Sequence, residues 1–108
     1  MLWKIQKEAL TITLCVYFMT LYEFYGDGCT HCESMRPKVE KLESEEGFEV
    51  EKLEVWNNED NQEVYYDKDG DENCGGVPYY FNDESGEFIC GEADFETLKA
   101  WAEGEEVN

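Results

Sequence analysis

Leu21-Tyr22-Glu23-Phe24-Tyr25-Gly26-Asp27-Gly28-Cys29-Thr30-His31-Cys32 is the stretch that decides the fold. Leu21 to Tyr25 is a short aromatic-rich run and reads as a buried strand. Gly26-Asp27-Gly28 breaks it, because glycine takes up turn geometry at little steric cost. Cys29 then opens a Cys-x-x-Cys pair where a long helical pattern begins. Strand, turn, dithiol and helix in that order suit thiol–disulfide chemistry. The strand fixes the position, the turn should expose Cys29, and the helix start lends it positive potential.

Outward from this stretch the pattern is that of an α/β chain. Thr30 to Glu46 is helical, with Met35, Val39 and Leu42 on one face and Gly47 as the stop. Pro37 lies inside this helix and removes one backbone bond. Phe48 to Trp56 alternates with period two and reads as a strand whose apolar face changes side midway. Asn57 to Asn73 is polar and turn-rich, with room for a short helix around Val64-Tyr65-Tyr66. Tyr79 to Asn82 and Glu87 to Cys90 form a hairpin across Asp83-Glu84-Ser85-Gly86. Asp94 caps a last helix whose face is Phe95, Leu98 and Trp101 or Ala102, and Gly104 ends it. Upstream, Leu2, Trp3, Ile5, Ala9 and Leu10 suit a short amphipathic helix, and Leu10 to Tyr22 favours a core strand over a secretory signal or anchor. The expected product is a mixed four-stranded sheet flanked by helices, its first two strands parallel through a right-handed crossover.

The chain has 108 residues and is expected to form a single domain. Its 27 Asp and Glu against 8 Lys and Arg give a net charge of −19. Such a surface repels phosphate backbones and anionic lipid, so neither nucleic acid nor membrane is an expected partner. The acids are spread along the whole chain. That favours a general solubility adaptation, as at high salt, over a docking face for a basic partner. Five cysteines cannot all pair within the chain, and only Cys29 and Cys32 have informative spacing. A disulfide-stapled framework is therefore not expected. Cys74 reads as a regulatory thiol, a third metal ligand or an inert side chain, the last being favoured. Cys15 and Cys90 read as buried core thiols. Asp67-Lys68-Asp69-Gly70-Asp71 fails the register of a calcium loop and reads as an acidic turn.

Four residues carry the expected chemistry. Cys29, at a helix N-terminus, is the nucleophile, and Cys32, one turn on, resolves the mixed disulfide and should be the less exposed of the two. A structural disulfide or half of a zinc site is the alternative for this pair. His31, when protonated, can stabilise the Cys29 thiolate, against a solvent-facing histidine of no consequence. Glu23 stands alone among apolar neighbours, so its carboxyl should be desolvated, with a raised pKa, and able to shuttle the Cys32 proton. The alternative is an edge-strand glutamate facing water.

Tyr22-Glu23-Phe24-Tyr25 before Cys29-Thr30-His31-Cys32 resembles the thioredoxin superfamily, most of all the catalytic domains of protein disulfide isomerases. Glu23 matches the family's buried acid six residues before the first cysteine, His31 its histidine, and Pro37 its helix proline. Gly76-Val77-Pro78 is similar to its cis-proline segment. Thr30 and Gly28 depart from the residues usual around the dithiol. The resemblance implies a thioredoxin fold with a four- to five-stranded mixed sheet. It implies a substrate-binding segment at Gly76, Val77 and Pro78, with the backbone of Val77 pairing with substrate as an added strand. The expected function is thiol–disulfide exchange with protein or peptide thiols, served by an upstream reductase or oxidase. The dithiol itself is the only cofactor expected and no metal is assigned. A cytoplasmic monomer is expected. A zinc- or copper-binding module using Cys29, Cys32, His31 and Cys74 is one alternative. A redox-silent interaction domain is the other.

Overall fold

Residues 20–107 are described by a computed structural model. The expectations for the first nineteen residues, Cys15 among them, lie outside the described residues. The strands are β1 (Leu21–Tyr25), β2 (Val50–Glu54), β3 (Tyr79–Asn82) and β4 (Phe88–Cys90). The helices are α1 (Thr30–Glu46), α2 (Glu59–Asp67), α3 (Gly70–Asn73) and α4 (Phe95–Ala102). The strands form one mixed sheet in the order β2-β1-β3-β4. β1 and β2 run parallel, joined through α1, while β3 is antiparallel to both β1 and β4.

β1 is thus a central strand, and its two faces serve two cores. Leu21 joins Met35, Val39 and Leu42 of α1 and Leu98, Trp101 and Ala102 of α4 on one side. Phe24 joins Tyr65 of α2 and Tyr79 on the other. Helices therefore cover both faces of the sheet, as a sheet without a wet face requires. Trp101 is fully buried and donates its indole N–H to Glu87 O at 3.1 Å, so its polar edge is satisfied. Replacing such a side chain by alanine costs about 3–5 kcal/mol.

Local signals account for the boundaries. α1 runs from Thr30 to Glu46 with Pro37 inside and ends on Gly47, whose φ of 77° needs no Cβ. The carboxylate of Asp94 accepts the Thr97 amide at 2.9 Å and starts α4. The hairpin turn is organised by the buried Asn82. Its Oδ1 accepts the amides of Glu84 and Ser85, and its Nδ2 donates to Trp101 O at 2.9 Å, tying the turn to α4.

Three expectations need correction. The Asn57–Asn73 segment is mostly helical, not a loop with one short helix. Asn58 caps α2 by accepting the Asn61 amide, Glu59 and Asp60 suit its N-terminal dipole, and Tyr65 anchors it against Phe24. β2 is shorter than Phe48–Trp56. Beyond Val55 the chain bends away because the Glu54 carboxylate takes the amides of Trp56 and Asn57. Cys74 and Cys90 are neither inert nor buried core thiols. They form a disulfide with Cα atoms 5.3 Å apart, and Cys90 is exposed. The cross-strand pairing of Tyr79 with Cys90 sets Cys90 beside the segment that follows Cys74.

Candidate redox-active site

β1 ends at Tyr25, and the turn after it closes when the Cys29 amide donates to Gly26 O at 3.1 Å. Cys29 is the N-cap of α1, with extended backbone, and its Sγ accepts the Cys32 amide at 3.1 Å. An N-cap sulfur thus sits against amides that have no helical partner, where negative charge is favoured. Cys29 and Cys32 are joined as a disulfide, Cα atoms 5.2 Å apart.

Both cysteines are 6% exposed. The expected contrast between an open Cys29 and a sheltered Cys32 is absent. Capping draws Cys29 Sγ inward over the first turn of α1, and each sulfur covers the other.

Glu23 is 6% exposed on the β1 face that carries α1. It is cross-strand to Tyr80, which donates its hydroxyl to Glu23 Oε2 at 3.0 Å. Burial pushes the Glu23 carboxyl above its usual range, and the Tyr80 hydrogen bond, Lys52 and Arg36 oppose this without cancelling it. Burial is also the main cause that raises the Tyr80 hydroxyl, helped by the Glu23 charge. Glu23 and Cys32 line one cavity of about 300 Å³, together with Arg36, Glu40, Glu43 and Lys52. A proton leaving the Cys32 side therefore has the Glu23 carboxyl in the lining of the same cavity, with other charged groups around it.

His31 projects from the first turn of α1 into solvent, and its Nδ1 lies 2.5 Å from Glu92 Oε2. Glu92 follows β4, so the imidazole is held by a carboxylate from the far end of the chain.

The Val77–Pro78 peptide bond is cis, and Pro78 is buried. One step beyond the Phe24–Tyr79 pair, the antiparallel register sets Pro78 opposite Tyr25, at the end of the strand that leads to Cys29. Pro78 O accepts the Gly91 amide at 2.8 Å, and Gly76 O accepts the Tyr65 hydroxyl at 2.7 Å. Val77 is half-buried against the Tyr65 core.

Cys32 and Glu23 thus line one cavity, Cys29 is bonded to Cys32, and the Gly76–Pro78 segment lies at the same end of the sheet. His31 pairs with Glu92, and Cys74 pairs with Cys90. The alternative metal set of Cys29, Cys32, His31 and Cys74 is not assembled, and among the described residues no three such side chains converge. Sequence reasoning did not reach Tyr80, Glu92 or the Cys74–Cys90 pair. Tyr80 and the second disulfide become visible only with the β1–β3–β4 register in hand. Glu92 gave no signal at all among so many acids.

No family model matches the chain, and no match was found among the curated proteins or the solved structures.

Proposed function

We propose that this chain is a thiol–disulfide oxidoreductase of thioredoxin-like fold that exchanges protein or peptide disulfides through Cys29 and Cys32. The observation that carries the reading is the disulfide between an N-cap cysteine and the residue one helical turn on, at the handover from β1 to α1. The parallel β1–α1–β2 unit, the β2-β1-β3-β4 order and Pro78 at the head of β3 support the fold assignment. Val77, with Gly76 and Pro78, is the proposed substrate-binding segment.

In the reduced protein the Cys29 thiolate attacks one sulfur of a substrate disulfide. A Cys29–substrate bond forms, the substrate S–S bond breaks, and the departing substrate thiolate takes up a proton. Cys32 then gives its proton to the Glu23 carboxylate and attacks Cys29 Sγ. The Cys29–Cys32 bond forms, and the second substrate thiol leaves with a proton. The substrate gains two electrons and the dithiol loses two, so each further turnover needs an external dithiol. With an oxidant in its place the same steps run backwards. A carboxyl with raised pKa suits this work because it takes up a proton more readily than an ordinary carboxylate does.

The second disulfide favours work in oxidising surroundings over the cytoplasm expected from the sequence, since such bonds persist where thiols are not kept reduced. Among the described residues no helix is long and apolar enough to cross a membrane.

Insulin reduction in the presence of dithiothreitol tests the reading. The wild-type chain should accelerate precipitation of the insulin B chain, and Cys29→Ser should not. Equal rates for the two would remove it.

A further inference from the structure

Among the described residues two large apolar side chains are exposed, Trp56 at 52% and Tyr66 at 59%. Tyr66 leans edge-on against Tyr65, on the α2 side of the molecule. Trp56 is placed differently. Its indole lies on the backbone of Gly26, so closely that a Cβ there would come within 2.2 to 2.6 Å of three ring carbons. Gly26 is the residue whose carbonyl closes the turn onto the Cys29 amide. The indole therefore rests on the turn that presents the dithiol, and only glycine at position 26 permits it.

The ring is also held in register with that turn. Glu54 Oε2 accepts the amides of Asp27 at 2.9 Å and Trp56 at 3.1 Å, and Glu54 Oε1 accepts Asn57 N at 2.9 Å. One carboxylate thus ties the dithiol turn to the segment that carries the indole. The Asp27 amide foremost, with those of Asn57 and Trp56, holds this carboxyl below its ordinary range. Its charge is therefore kept down to low pH.

The chemistry of the surroundings names the occupant. Residues 53–67 contain no Lys or Arg, and Glu54, Glu59 and Asp60 follow closely on either side of the ring in sequence. The chain as a whole carries a net charge of −19. An exposed indole in a negative field attracts a guanidinium or ammonium over its face. We propose that Trp56 is a specificity-determining contact for substrate, receiving an Arg or Lys side chain next to the substrate cysteine, with Glu54 as its positioning residue. This inference rests on the disulfide-exchange reading of Cys29 and Cys32.

The test uses two disulfide-linked peptides that differ only in Arg or Ala beside the cysteine, with hydroxyethyl disulfide as a small neutral probe. Rates are measured in 1 M NaCl, which screens the overall charge. Wild type should favour the Arg peptide. Trp56→Ala should lower kcat/KM for that peptide about threefold to fivefold, through KM, and leave the Ala peptide and the neutral probe within twofold. Trp56→Phe should recover part of the loss. Trp56→Leu, which fills the space without the indole face, should not. If Trp56→Ala is impaired with all three probes, Trp56→Leu decides: an Arg preference equal to wild type overturns the inference. Exchange with all three substrates and no Trp56-dependent Arg preference overturns this inference alone. Exchange with none of them in wild type removes the oxidoreductase reading, and this inference with it.

Discussion

Glu23 puts a carboxyl through the middle strand of a sheet, where burial outweighs the hydrogen bond from Tyr80. Its folded value lies above the ordinary 4.5, so the native state keeps this proton to higher pH than the unfolded chain does. That contribution to stability is complete below pH 4.5 and is lost as pH rises through the raised value. Glu23→Gln, uncharged at every pH, should therefore be more stable than wild type at pH 8. The difference should vanish near pH 4, as urea midpoints at the two pH values will show. The same variant should slow release of substrate from the mixed disulfide by about 10²-fold, while attack by Cys29 stays unchanged. Rapid-quench trapping of the mixed disulfide separates these steps. Tyr80→Phe removes a hydrogen bond that holds the Glu23 carboxyl down. It should move the pH dependence of the resolving step to higher pH. Much of this site was legible from residue types, because a lone acid in an aromatic strand and a dithiol at a helix start each have few physical explanations. The shelter of Cys29 was not legible, since capping by a sulfur depends on side-chain direction and not on spacing.

At the scale of elements, α1, α4 and the hairpin were read within a residue or so of their observed bounds. Their signals are local: apolar spacing in Met35, Val39 and Leu42, Asp94 as cap, and Gly47 and Gly104 as stops. α2 was not legible as a full helix, because only Tyr65 of its nine residues is buried and a single anchor makes no periodic pattern. The Cys74–Cys90 bond was missed for a related reason. The partners are sixteen positions apart in sequence, and only the pairing of β3 with β4 brings them together. A bond closing a loop of that size stabilises by about 3 kcal/mol. The Cys74→Ser/Cys90→Ser double variant should lose about that much in urea unfolding, and an unchanged midpoint would contradict the pairing. Asp94→Ala should cost about 1 kcal/mol through the lost cap on α4, by the same assay.

For the whole molecule, a net charge of −19 on 108 residues implies strong self-repulsion. Raising NaCl from 0.01 M to 1 M shortens the screening length from about 30 Å to about 3 Å. Thermal unfolding should then shift upward by at least ~4 °C, roughly the effect of 1 kcal/mol in a domain of this size. A flat or falling Tm would show that the acids do not strain the fold. The two disulfides also differ in place, one at a helix start beside a buried acid and one linking the end of α3 to β4. The most direct test is to equilibrate the intact protein across a series of dithiol redox buffers, alkylate it, and read each cysteine pair by peptide mass. Cys29–Cys32 should titrate as a two-electron couple between about −270 and −120 mV, while Cys74–Cys90 stays oxidised to below about −300 mV. Reduction of Cys29–Cys32 only at the potential that also opens Cys74–Cys90 would make it a structural staple and contradict the account.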